Sequence, residues 1–155
     1  MRLFVDGDAF PNVLKDILFK AVQRLQVPLI MVANKYIRVP DNELFSNVVV
    51  PGGPDVADDR IVELMVAGDL VITADIPLAD RVVTKNGYAI NPRGELYTEA
   101  NIKNRLAMRN LMDDLRNEGT VSGGPASFSK KDIQAFTNQL DRFLTKHCRK
   151  RIDKR

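Results

Sequence analysis

Five short apolar runs, each too brief to form a helix, constrain what this chain can fold into more than any other feature. They are Leu3-Phe4-Val5, Val27-Pro28-Leu29-Ile30-Met31-Val32-Ala33, Val48-Val49-Val50, Asp69-Leu70-Val71-Ile72-Thr73 and Tyr88-Ala89-Ile90. Runs of this length, apolar at successive positions, read as strands buried on both faces. The segments between them have helical spacing. Pro11 has the fixed φ that suits the first turn of a helix running to about Leu25. After Pro51-Gly52-Gly53-Pro54, the stretch Asp55 to Val66 puts Ala57, Ile61, Leu64 and Met65 on one side, and Ile76 to Lys85 reads as a further short helix. This β-α-β alternation predicts an α/β protein, a three-layer, Rossmann-like parallel sheet flanked by helices and joined by right-handed crossovers.

Beyond Asn91-Pro92-Arg93-Gly94 the pattern is helical only, which predicts a C-terminal helical extension. Thr98 can cap a helix reaching about Glu118. Ser129 and Asp132 form a capping box for a second helix to about Lys146, with Phe128 and Ile133 at the positions of a hydrophobic staple. Gly119 to Ser127, with Gly123-Gly124-Pro125, reads as a surface linker that can also serve as a lid. A chain of 155 residues, 45% apolar, is sized for one domain, expected over 1–147. Residues 148–155 are expected to be a basic, disordered tail, a solubilising end or a source of phosphate contacts.

Composition removes several kinds of chemistry. Cys148 is the one cysteine and His147 the one histidine, so a thiolate zinc site, an intrachain disulfide and a Ser-His-Asp centre are all disfavoured. No segment approaches the ~20 apolar residues of a membrane span and the N-terminal residues do not resemble a signal peptide, so a cytoplasmic protein is expected. The net charge of +3 is too small to identify a partner. Chemistry must rest on carboxylates.

In an open parallel sheet, ligands bind outside the carboxyl ends of the strands. Asp6 and Asp8 follow the first strand as Asp-x-Asp, and Asp75 follows the fourth as Thr73-x-Asp75. Asp55, Asp58 and Asp59 stand at helical offsets that bring them to one side of the first turns, with Asp58 nearest the apolar stripe. Three acidic segments converging on one crevice predict a site for a hard divalent cation, Mg²⁺ or Mn²⁺. The alternative is ordinary: aspartates cap helices and favour their N-termini. Asn34 and Lys35 after the second strand, and Asn91 and Arg93 after the fifth, are candidates for holding phosphate at the same crevice or simple turn residues. Lys103, Arg105, Arg109 and Arg116 on the late helix are candidates for gripping a phosphate backbone, although Asp113, Asp114 and Glu118 fit a salt-bridged surface face equally.

At these motifs the chain resembles the YaiI/YqxD family of bacterial proteins over nearly its full length. The resemblance rests on Val5-Asp6-Gly7-Asp8-Ala9 with Pro11, on Val32-Ala33-Asn34, on Asp55 to Glu63 and on Gly68 to Ala79. It continues in Asn91 to Thr98, in Arg105-Leu106-Ala107-Met108-Arg109 and in Gly123-Gly124-Pro125. Gly7 and Phe10 depart from it, since the family pattern usually has Ala and Cys there, and Phe10 excludes a thiol role at that position. The resemblance implies a fold similar to PIN domains, which are metal-dependent ribonucleases. Carried over, Asp6 would be the first metal ligand, Asp58 or Asp59 the mid-chain acid and Asp75 the acid after the Thr-bearing strand, with Asp8 in support. The implied partner is RNA or DNA, and a homodimer is left open.

Two other readings compete. An apolar strand followed by Asp-x-Asp also opens haloacid-dehalogenase-type phosphatases, in which Asp6 would be the nucleophile and Asp8 the acid/base. Phe10, where that motif carries Thr, and the lack of a well-spaced lysine count against it. The other is a PIN-like nucleic-acid-binding or scaffold protein whose acidic cluster performs no chemistry.

Overall fold

The structure, a computed structural model, describes residues 1–117 and 128–153. Its elements in chain order are β1 (Leu3–Asp6), α1 (Lys15–Leu25), β2 (Leu29–Ala33), β3 (Phe45–Val49), α2 (Val56–Leu64) and β4 (Leu70–Ile72). Next come α3 (Ile76–Thr84), β5 (Tyr88–Ile90), β6 (Leu96–Tyr97), α4 (Glu99–Asn117) and α5 (Lys130–Asp153). The six strands form one sheet in the order β3-β2-β1-β4-β5-β6. The first five are parallel, as the buried apolar runs require, and β6 closes the edge antiparallel to β5. β6 was not expected from the sequence, because two residues carry no periodicity.

Alternate strand residues feed two cores. Leu3, Val5, Leu70 and Ile72 face α1 and α5, meeting Leu18, Val22, Phe136 and Leu140. Phe4, Val32 and Val71 face the other way, meeting Ile61, Leu78, Val82 and Ile102 of α2, α3 and α4. The result is the expected three-layer α/β architecture, Rossmann- and PIN-like.

Two local expectations change. The first helix begins at Lys15, not beside Pro11: Phe10 and Pro11 are extended, Phe10 is buried edge-to-face against Phe136 at 6.1 Å, and a 3₁₀ turn over Asn12–Leu14 leads into α1. The chain gives up one helical turn to place an aromatic ring in the core. The tail expected from residue 148 also differs, since α5 is helical through Asp153 and Cys148 is buried. Leu140, Leu144 and Cys148 repeat every four residues along the buried face, so the apolar stripe carries the helix past Lys146. The expected linker or lid, 119–127, lies outside the described residues. Among the described residues, no helix is long and apolar enough to cross a membrane.

The expected capping box at Ser129 forms, and the expected Thr98 cap is a second such pair with Asn101. Ser129 N–H donates to Asp132 Oδ2 at 3.1 Å and Asp132 N–H to Ser129 Oγ at 3.2 Å, while Thr98 and Asn101 exchange the equivalent pair at the start of α4. The β5–β6 turn fastens α5 to the sheet. Gly94 has φ +94°, and a Cβ there would lie 2.5 Å from the Ala135 carbonyl carbon, so only glycine fits.

Candidate metal centre at the switch point of the sheet

The chain leaves β1 for β2 on one side and returns through α2 to β4 on the other, so the strand order reverses between β1 and β4. Asp6 ends β1, and Thr73 and Asp75 follow β4, on either side of that crevice. Thr73 is 2% exposed and joins the two. Its hydroxyl donates to Asp6 Oδ2 at 3.1 Å and accepts the Asp75 N–H at 3.0 Å. Asp75 is the N-cap of α3, with Oδ1 accepting the Leu78 N–H at 3.3 Å.

The first turn of α2 supplies the rest. Asp55 precedes the helix at φ 61°, a left-handed conformation that aspartate tolerates better than most residues, and its side chain makes no capping hydrogen bond. That leaves its carboxylate available, and one oxygen each from Asp55, Asp58 and Asp75 lie within 4.8 Å of one another. Asp58 is the most perturbed acid of the group. Burial, then a hydrogen bond with Asp75, then the charges of Asp75, Asp6 and Asp55 push its pKa up to about 7. Asp58 is therefore still partly protonated near neutral pH. Asp6 is also raised, chiefly by burial; the Thr73 hydrogen bond works against this, and the charges of Asp75 and Asp8 add to it.

Ligands on opposite sides of a hard cation with metal–oxygen distances of about 2.0–2.6 Å are separated by roughly 4–5 Å. The oxygens of Asp55, Asp58 and Asp75 fit within that spread, and an all-carboxylate donor set suits Mg²⁺ or Mn²⁺.

The remaining candidates are placed elsewhere. The strand stops at Asp6 and Gly7–Ala9 form a 3₁₀ turn, so Asp8 turns aside and both its oxygens accept the Asn34 backbone N–H, at 3.2 and 3.0 Å. Asp59 points outward to Arg81 at 2.7 Å, because α2 directs only its 55 and 58 positions to the crevice. Asn91 is a turn residue: its Oδ1 accepts the N–H groups of Arg93 and Glu95, and its Nδ2 donates to the Tyr97 hydroxyl. Arg93 holds Asp132 at 2.6 Å and covers the Phe128 ring at 4.4 Å, which ties α5 down. Arg105 pairs with Glu95 and Arg109 with Asp113, as on a salt-bridged surface. Asn34 and Lys35 are exposed beside the crevice. Sequence reasoning gave Asp55 no role of its own and did not find the bridging part of Thr73, although Thr-x-Asp after a strand was its visible signal.

Residues 4–146 match the family described as "Uncharacterized BCR, YaiI/YqxD family", a span that includes every carboxylate of the crevice. A UPF0178 protein of Maridesulfovibrio salexigens is 59% identical over 146 residues, covering 94% of this chain and 97% of its own length. UPF0178 proteins of a Janthinobacterium species and of Shewanella woodyi are 56% and 55% identical, with 94% and 95% of this chain covered and 97% of each relative. No solved structure gives a significant match. A match over nearly the whole chain, with identity above one half, places it plainly: the chain belongs to the YaiI/YqxD family.

Proposed function

We propose that the protein is a divalent-metal-dependent phosphodiesterase acting on nucleic acid, with Asp55, Asp58 and Asp75 holding Mg²⁺ or Mn²⁺. The observation that carries this reading is the carboxylate trio at the switch point, where burial first, and then the neighbouring Asp75, Asp6 and Asp55, push the Asp58 pKa up to about 7. When bound, such an ion supplies positive charge at a scissile phosphate and lowers the pKa of a water. The chain's own residues would then divide the work. Asp58 would hold the ion in its ionised form, having given its proton up to solvent. Thr73 fixes the carboxylate of Asp6 and the backbone of Asp75 relative to each other. Asp6 has Oδ2 on Thr73, and among the described residues its Oδ1 accepts no hydrogen bond. That oxygen would receive the proton of an attacking water, and the raised pKa of Asp6, caused chiefly by burial, supports its reading as the base.

The phosphatase alternative loses support, because Asp8 is occupied by the Asn34 N–H rather than turned to a leaving group. The proposal is tested by incubating labelled single-stranded RNA and DNA with the protein in Mn²⁺, Mg²⁺ or EDTA, beside folded Asp58→Asn and Asp75→Asn variants. Metal-dependent cleavage that both variants lose is expected. Absence of cleavage with Mn²⁺ binding retained would favour the non-catalytic binding reading. Absence of both would remove the metal centre.

A further inference from the structure

The loop from β2 to β3 leaves the same edge of the sheet as the acidic crevice, and it is pinned firmly at three points. Asn34 is held by Asp8. The backbone N–H and carbonyl of Ile37 are both bound by the Asn47 side-chain amide at 3.0 Å. The Ile37 side chain is buried under Gly7, where an added Cβ would lie 2.5 Å from its Cδ1. A loop needs one apolar anchor, and Ile37 provides it. Tyr36, immediately before, is 67% exposed, the highest value among the large apolar side chains left outside the cores. A rigidly mounted, solvent-facing aromatic ring loses little entropy when something flat is laid on it.

The surroundings of Tyr36 indicate what that would be. The ring borders a groove of about 940 Å³ between this loop and α1, lined also by Lys15, Arg38, Phe19 and Pro40. Lys35 stands beside it in sequence. Among the arginines whose side chains are described, Arg38 is the one with no hydrogen bond or ion pair within the protein, whereas arginines such as Arg2, Arg24, Arg60, Arg81 and Arg105 all have a carboxylate partner. Lys15 and Lys35 form no ion pair either. Asp16 and Asp41 also line the groove, so its overall charge is nearly balanced and no broad positive field exists. Recognition here would rest on stacking plus a few point contacts.

We propose that this groove binds single-stranded nucleic acid, with a base stacked on Tyr36 and phosphates held by Lys15, Lys35 and Arg38, as the path by which a strand reaches the acidic crevice. The inference deepens the phosphodiesterase reading and rests on it for the direction of the strand. Asn34, two residues before Tyr36, is bonded to Asp8, itself two residues from Asp6, so the loop that carries Tyr36 is tied to the turn that leaves β1 at the crevice. A duplex keeps its bases paired and offers no free face for the ring, so a single strand is the form selected.

Binding is to be measured separately from cleavage, by fluorescence anisotropy of a labelled oligonucleotide in EDTA. RNA and DNA single strands and the corresponding duplex are compared. The wild type is expected to prefer the single strand. Tyr36→Ala is expected to weaken binding about tenfold or more, and Tyr36→Phe to preserve it. A Lys35→Gln, Arg38→Gln double variant is expected to flatten the dependence of log affinity on log salt by about 1.4, roughly 0.7 per lost phosphate contact. Equal affinity of wild type and Tyr36→Ala, or tighter binding of duplex than of single strand, overturns the groove proposal. Binding that follows these expectations without cleavage in any metal supports the groove and overturns the phosphodiesterase reading. Cleavage unaffected by Tyr36→Ala does the reverse.

Discussion

Replacing Asp58 by asparagine tests the electrostatic account of the crevice most directly. In the folded protein Asp58 titrates at about 7, against an ordinary 3.8. A folded pKa above the unfolded one means that the folded state holds the extra proton between those values. The stabilisation is therefore fully present below about pH 4 and is lost as pH rises through about 7. The gap sets a ceiling of about 4 kcal/mol. Asp58 is only half-buried, and water screens the charges around it, which lowers the expected effect to about 1–2 kcal/mol. Asparagine keeps a donor for Asp75 and never ionises. At pH 8 Asp58→Asn should thus be more stable than wild type by about 1–2 kcal/mol, a rise in Tm of about 3–6 °C for a chain of this size. At pH 5, where the folded state keeps the Asp58 proton but the unfolded chain has already lost it, the difference should shrink to less than half of that at pH 8. Added Mn²⁺ should reverse the order at pH 8, since a hundredfold excess over Kd stabilises the wild type by about 2.7 kcal/mol and the variant lacks a ligand. Thermal unfolding followed by circular dichroism at both pH values, with Mn²⁺ or EDTA, measures all of this. A variant no more stable than wild type at pH 8 in EDTA, or equally stabilised by Mn²⁺, would refute the reasoning.

Other outcomes follow from individual contacts. Thr73→Val keeps the shape but leaves the Asp75 N–H without its acceptor and Asp6 without its donor, and should cost about 1–3 kcal/mol in urea unfolding while weakening Mn²⁺ binding by calorimetry. An unchanged urea midpoint would refute the bridging role. Asp59→Asn should leave Mn²⁺ affinity within about twofold of wild type and stability within about 1 kcal/mol, because the exposed carboxylate serves Arg81; a large loss of affinity would put Asp59 in the site after all. Gly94→Ala should destabilise by about 2 kcal/mol or more and speed proteolysis of α5, since both its φ and its contact with Ala135 exclude a side chain.

Much of the fold was legible because buried parallel strands announce themselves as unbroken apolar runs, and the capping boxes at Thr98 and Ser129 fixed two helix starts through purely local chemistry. Edges were less so. The late start of α1 depended on Phe10 finding Phe136 across the molecule, and the length of α5 on a buried Cys148, neither of which local spacing expresses. The site divides in the same way. Asp6, Asp58 and Asp75 were visible as acids at strand ends and on an apolar helix face. Choosing between Asp55 and Asp59 was not, because both lie within one helical turn of Asp58; the choice follows from the left-handed backbone at Asp55 and from Arg81 drawing Asp59 away. Asn91 and Arg93 looked like ligands for the same reason that they are structural, since turns after strands need polar side chains whether or not anything binds there.

The central position of β1 has a consequence for how the chain is made. It is synthesised before either of its neighbours, yet in the finished sheet it is hydrogen-bonded on both edges, to β2 from residue 29 and to β4 from residue 70. A nascent chain therefore carries an apolar strand, Leu3-Phe4-Val5, with one edge open until some 65 further residues have emerged. At ordinary translation rates that interval lasts several seconds, during which the strand is open to mispairing and to chaperone capture. Slower elongation over residues 30–70 should prolong that exposure and lower the yield of folded protein.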